Sequence, residues 1–142
     1  MNEIVAEARR WIGTPYVHQA SQRGAGCDCL GLIRGVWRYL YGQEPRAIPA
    51  YTPDWDEHDS RDLLMSAARE HLQELQAEPL ALGHVVLFRM REGAVAKHLG
   101  IVAKIGDAPT FIHAYSRHGV IESPLSRPWE QRIAARFAFK EG

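Results

Sequence analysis

The sequence predicts an α+β domain, with N-terminal helices packed on a C-terminal antiparallel sheet of about five strands. Apolar residues in the first half recur every three or four positions, the spacing of an amphipathic helix. From Gly83 onward the pattern becomes short apolar runs separated by turn residues. Helices precede strands instead of alternating with them, which favours segregated layers over a parallel β/α repeat. At 142 residues, the chain is long enough for one self-sufficient core, read as a single domain over 1–142.

Asn2 can cap a first helix, with Glu3 in its opening turn and Ile4, Val5, Ala8, Trp11 and Ile12 on one face. Gly13 and Pro15 end it, and a short extended piece, Thr14 to Gln19, leads into a polar loop over 20–26. The second helix, roughly Cys29 to Tyr41, carries Leu30, Ile33, Val36, Trp37 and Leu40 at helical spacing and stops at Gly42. Pro45, Pro49 and Pro53 make 43–58 irregular, with Tyr51 and Trp55 either anchoring that loop or facing a ligand. Asp59 or Ser60 can cap a third helix reaching Leu75, with His71 on or beside its apolar stripe as a packing residue. Strands are expected at 85–88, 98–105, 110–115, 119–122 and 132–140, with turns at 91–93, 106–107 and 118–119.

Formal charge is zero, so composition does not suggest a nucleic-acid or membrane-surface binder. Acidic side chains dominate 47–82 and basic ones 83–142, a mild bias that would suit an acidic ligand. No apolar run reaches membrane-spanning length. The N-terminus lacks the basic start and apolar run of a secretory signal, so synthesis in the cytoplasm and export by another route are expected.

The two cysteines, Cys27 and Cys29, stand one residue apart directly after two glycines. That spacing strains any bridge between them, so both are expected to be free thiols. Cys29 falls at a helix N-terminus, where unpaired N–H groups and the helix dipole favour a thiolate. A small buried packing cysteine is the alternative. His98 opens one strand and His113 lies on the next; if the two strands pair around Gly106-Asp107, the imidazoles meet. Together these residues offer a nucleophile, a base and a group that fixes the base's tautomer. His18, His58, His84 and His118 read as loop or turn residues without a role. Cys27 reads as packing, a second thiol near the site or an oxidation partner. The rival reading joins Cys27, Cys29, His98 and His113 as a zinc site, but C-x-C is shorter than the usual spacing of structural zinc cysteines. No metal and no cofactor is therefore expected.

Gly13-Thr14-Pro15-Tyr16, Asp28-Cys29-Leu30-Gly31-Leu32, Gly83-His84-Val85-Val86-Leu87-Phe88, His98-Leu99-Gly100-Ile101-Val102 and Phe111-Ile112-His113-Ala114 occur in the order found in NlpC-type cell-wall cysteine peptidases. The chain resembles especially the short, single-domain, phage-associated branch, over about 11–120. The resemblance implies a papain-like α+β fold and hydrolysis of peptidoglycan stem peptides, usually between γ-D-glutamate and the diamino acid. It implies Cys29 as nucleophile, His98 as base and His113 as the orienting residue. Tyr16 would assist the oxyanion or bind substrate, and Asp28 would cap the helix without a catalytic part. Phage or phage-like tail proteins are implied as partners, with release to the wall by a particle or by lysis. Leu30 stands where many members have Ser, Val17-His18-Gln19-Ala20 replaces an aromatic-Gly-Gly loop, His84 replaces an Asp, and 43–82 is longer than in minimal members.

Two other readings keep the same residues. One is an amidase or acyltransferase that passes the thioester to another acceptor; the other is an inert assembly module. Rapid labelling of Cys29 near neutral pH would distinguish an active thiolate from the inert module.

Overall fold

The computed structural model describes residues 2–45, 63–90 and 96–141. The expected features at Tyr51, Trp55, Asp59, Ser60, His58 and the 91–93 turn lie outside them.

The first helix, α1 (Glu3–Arg10), starts where Asn2 Oδ1 accepts the Val5 N–H at 3.1 Å, as the sequence requires. Val5, Ala8 and Trp11 are buried, but Ile12 is 44% exposed because the helix ends before it can join their face. A two-residue hairpin follows, β1 (Ser21–Gln22) and β2 (Gly26–Cys27), and then α2 (Cys29–Tyr41). Leu32 and Val36 of α2 are fully buried, and each contributes about 1.5–3 kcal/mol of hydrophobic burial. The two helices pack closely at Gly35, where a Cβ would lie 2.0 Å from Trp11 Cζ2. Trp11 is held over that glycine by its indole N–H, which donates to Glu7 Oε2 at 3.1 Å.

The third helix, α3 (Leu63–His71), is shorter than its apolar spacing implied. Residues 73–75 leave it to form β3 (Gln73–Leu75), which pairs antiparallel with β8 (Ile133–Ala138) through Leu75↔Arg136, Glu74↔Phe137 and Gln73↔Ala138. Among the described residues the main sheet therefore has six strands rather than five. The others are β4 (Val85–Arg89), β5 (Ala96–Lys104), β6 (Thr110–Tyr115) and β7 (Gly119–Pro124), and the order is β3-β8-β4-β5-β6-β7. A one-turn helix, α4 (Arg127–Glu130), which the sequence reading did not anticipate, precedes β8.

Alternation along the central strands divides the core in two. Leu87, Leu99, Ile101, Ile112 and Ala114 join the helices, while Val86, Phe88, Val102, Phe111 and Leu125 form the second cluster, against which Trp129 of α4 packs. A backbone clip ties the end of the first segment to β7: Gly13 N–H donates to Val120 O and Val120 N–H to Thr14 O, at 3.0 and 2.9 Å. Gly119 needs its positive φ of 73° there, and a Cβ would strike Thr14 O at 2.5 Å. This clip brings the Thr14–Tyr16 segment to the sheet that carries the histidines. Among the described residues, no helix is long and apolar enough to cross a membrane.

Candidate active site

Asp28, 1% exposed, caps α2 by accepting the Gly31 N–H on Oδ1 at 2.7 Å. Its Oδ2 accepts the Gln19 N–H, also at 2.7 Å. One buried carboxylate thus fixes both the helix start and the preceding loop. Gly31 is required for the same approach: a Cβ there would sit 1.9 Å from the Ala20 carbonyl oxygen. Cys29 is held as the first residue of the helix.

Cys27 is fully buried on β2, and its backbone forms a parallel bridge with Tyr16. Cys27 N–H donates to Pro15 O at 3.0 Å and Val17 N–H to Cys27 O at 3.1 Å. This agrees with the packing reading of Cys27 and explains how Tyr16 is delivered beside Cys29. The alternative metal set is not assembled. Among the described residues, no group of three or more His, Cys, Asp or Glu side chains is placed to hold a metal ion.

The Cys29 thiol donates to the Lys97 carbonyl at 3.9 Å, and the Leu99 N–H lowers its pKa from the other side of His98. The sulfur therefore rests against β5 immediately around His98. β5 and β6 pair antiparallel with Ile101↔Ile112 and Val102↔Phe111, which sets His98 and His113 diagonally across the ladder. Their rings meet: His98 Nε2 and His113 Nδ1 are 2.7 Å apart. His113 Nε2 lies 2.9 Å from Ser123 Oγ on β7. The pairing expected from the sequence is formed, and Ser123 is a member that the sequence reading did not single out.

The imidazoles belong to the sheet face shared with Phe88 and Phe111. Trp129 closes over them, with ring centroids 5.6 Å from His98 and 5.3 Å from His113. Tyr115 adds a second wall at 5.8 and 5.3 Å, and His118 stacks on its ring. Neither Trp129 nor Tyr115 was marked in the sequence as part of a site: an aromatic residue in a strand is usually core, and the short helix that carries Trp129 was not anticipated.

Burial governs the electrostatics. Loss of water, reinforced by the neighbouring His113, pushes His98 down to about 3. Burial and then His118 push His113 down to about 4. Burial and then the Asp28 carboxylate push the Cys29 thiol up to about 12, outweighing the lowering by the N–H groups of Leu99, Leu30 and Cys29. The helix N-terminus and its N–H groups favour the thiolate, while burial and Asp28 oppose it and set the net direction upward. Tyr16 is pushed up to about 12 by burial, then by Cys29, Asp28 and Cys27, so its hydroxyl remains a donor.

These shifts bound the pH range of stability. His98 and His113 resist protonation in the fold relative to the ordinary histidine value of 6.5. As pH falls below that value the unfolded chain takes up protons first, so stability is lost on going down toward about 4 and 3. Cys27 and Cys29 behave oppositely, pushed from the ordinary thiol value of 9.0 up to about 12. Above pH 9 the unfolded chain loses protons first, and stability falls again. Denaturant midpoints measured across pH should show a plateau between these limits, with the acid fall reduced in His113→Gln.

Comparison with known proteins follows the same outline. The family model for NlpC/P60 matches residues 13–137, most of the chain. The chain belongs to the NlpC/P60 family. Among solved structures, it is similar to an NLP/P60-family protein described as similar to lipoprotein, from Staphylococcus aureus, with 23% identity and a TM-score of 0.63. The match covers 100% of this chain and 43% of that one, so the chain spans less than half of that relative's length. The NlpC/p60 domain of the peptidoglycan hydrolase SagA matches with 23% identity and a TM-score of 0.62, over 96% of both chains. An NlpC/P60 family protein from Bacillus cereus matches with 19% identity and a TM-score of 0.61, over 94% of this chain and 38% of that one. No curated protein matches the sequence. The six-stranded sheet with its helices is thus the papain-like α+β fold of the NlpC/P60 family.

Proposed function

We propose that this NlpC/P60 chain is a cell-wall cysteine endopeptidase that hydrolyses peptidoglycan stem peptides, at the bond between γ-D-glutamate and the diamino acid. The observation that carries the reading is the 2.7 Å His98–His113 contact, set in the strand against which the Cys29 sulfur rests. Family membership supports the substrate class, and the SagA domain, a peptidoglycan hydrolase, shares the fold over nearly its whole length.

His98 Nε2 is engaged with His113, which leaves Nδ1 as the basic nitrogen. In the first step the thiol proton leaves the Lys97 carbonyl and passes to His98 Nδ1 while the sulfur attacks the amide carbonyl carbon. With burial opposing charge on both groups, proton transfer and attack belong to one event. The C–S bond forms and the carbonyl π electrons move to oxygen. The Cys29 N–H and the protonated Tyr16 hydroxyl are the donors for that oxyanion. His98 returns the proton to the leaving amine as the C–N bond breaks, giving a Cys29 thioester. Water, losing a proton to His98, then attacks the thioester; the C–S bond breaks, His98 passes that proton to the departing sulfur, and the released acid gives up its own proton to solvent.

Delivery to the wall by a phage-like particle, or by lysis, is part of the proposal and rests on the resemblance to the short branch.

Digestion of defined muropeptides, with fragments identified by mass, tests the function. Two fragments split between γ-D-glutamate and the diamino acid are expected, with one oxygen from solvent water in the new carboxylate. Intact muropeptides would overturn the reading. Transfer of the acyl group to an added amine in place of water would favour an acyltransferase.

A further inference from the structure

We propose that Ser123 is a positioning residue for this site, the last member of a chain running Cys29, His98, His113, Ser123 that sets the tautomer of the base through His113. The proposal rests on the peptidase reading above for its meaning but not for its test.

His98 and His113 are both held neutral by burial, so the 2.7 Å contact between His98 Nε2 and His113 Nδ1 contains one proton. That proton can sit on either nitrogen, and the two choices have opposite consequences. If it sits on His98 Nε2, His98 Nδ1 carries a lone pair and can take the thiol proton. If it sits on His113 Nδ1, neutral His98 must carry its proton on Nδ1 and cannot act as the base. An acceptor at the far side of His113 favours the first arrangement. With Nδ1 accepting, neutral His113 carries its proton on Nε2, and that N–H must find an acceptor.

Ser123 Oγ stands 2.9 Å from His113 Nε2. Ser123 is half-buried at the outer strand of the sheet, so its own hydroxyl proton can be directed to water while its oxygen accepts. His113 itself is 1% exposed, with Trp129, Phe111 and Tyr115 around its ring. Its Nε2–H consequently depends on Ser123 for a partner in a place where an unpaired donor is costly. The β6–β7 register, in which Phe111 pairs with Ser123 and His113 with Ile121, places this hydroxyl diagonally opposite His113 on the same sheet face. The chain needs no rearrangement when the base is protonated: His98 Nε2–H continues to donate to His113 and His113 Nε2–H to Ser123.

The test compares wild type, Ser123→Ala and Ser123→Thr by muropeptide kinetics and by nitrogen-15 NMR of the two histidines. Wild type is expected to show both rings protonated on Nε2. Ser123→Ala is expected to show a second tautomer, protonated on His98 Nδ1, and to lose about tenfold in kcat with KM unchanged, within the net worth of a neutral hydrogen bond. Ser123→Thr, which keeps the hydroxyl on a strand-compatible side chain, is expected to restore both readouts. Wild-type tautomers in Ser123→Ala would overturn the proposal, as would a Thr variant that fails as Ala does. If wild type cleaves no stem peptide, the functional reading fails, while the NMR result still decides the role of Ser123.

Discussion

Replacing Cys29 with alanine is expected to reduce muropeptide turnover by about 10,000-fold or more, the range seen when a covalent nucleophile is removed. Cys27→Ala is expected to leave turnover essentially intact and to lower stability instead. Cys27 is fully buried and pushed up to about 12, mainly by burial, so its sulfur is packing and its contribution to the site is the backbone bridge to Tyr16. Alanine keeps that bridge and leaves a small cavity. A steady-state assay on the two variants, with circular dichroism to establish folding, separates the thiols. Activity retained in Cys29→Ala, or abolished in folded Cys27→Ala, would reverse the assignment.

The second large effect is expected at the histidines. His98→Ala should lose about 100- to 10,000-fold in kcat/KM, the usual contribution of a positioned acid–base group. His113→Ala should lose less, and His113→Gln should recover part of that loss, because a glutamine carbonyl oxygen can accept the His98 Nε2 proton. The double variant His98→Ala, His113→Ala should be no slower than His98→Ala alone, since His113 acts through His98. Additive losses would show that His113 has an independent part. The wild-type pH profile carries the same information. His98 pushed down to about 3 stays available as a base well below the ordinary histidine range, so the acid limb of kcat/KM should lie below pH 6.5.

Much of this arrangement was legible before the fold was seen. Asn2 and Asp28 announce helix starts through their capping chemistry, and both side chains accept the expected N–H groups. The apolar stripe after Cys29 sets that residue at a helix N-terminus, and the 106–107 turn sets His98 against His113. What escaped depends on neighbours that local sequence does not name. Residues 73–75 continue a helical pattern and become a strand only because the β8 edge is open to pair with them. Ser123 is an ordinary polar residue until the β6–β7 register brings it to His113. The electrostatic setting of Cys29 was legible only in part for a related reason. A helix N-terminus is a local feature favouring thiolate, while the desolvation that overrides it comes from the whole site, with Asp28 adding to it.

The central claim is that Cys29 forms the covalent intermediate with the help of His98. An activated γ-D-glutamyl ester, which acylates a thiol faster than water removes the acyl group, allows that intermediate to be trapped by acid quench and located by peptide mass spectrometry. An acyl group on the peptide containing Cys27 and Cys29, absent in Cys29→Ala, retained in Cys27→Ala and formed far more slowly in His98→Ala, is the predicted result. Turnover of the ester with no acyl group on Cys29, or with the group on Cys27, would contradict it.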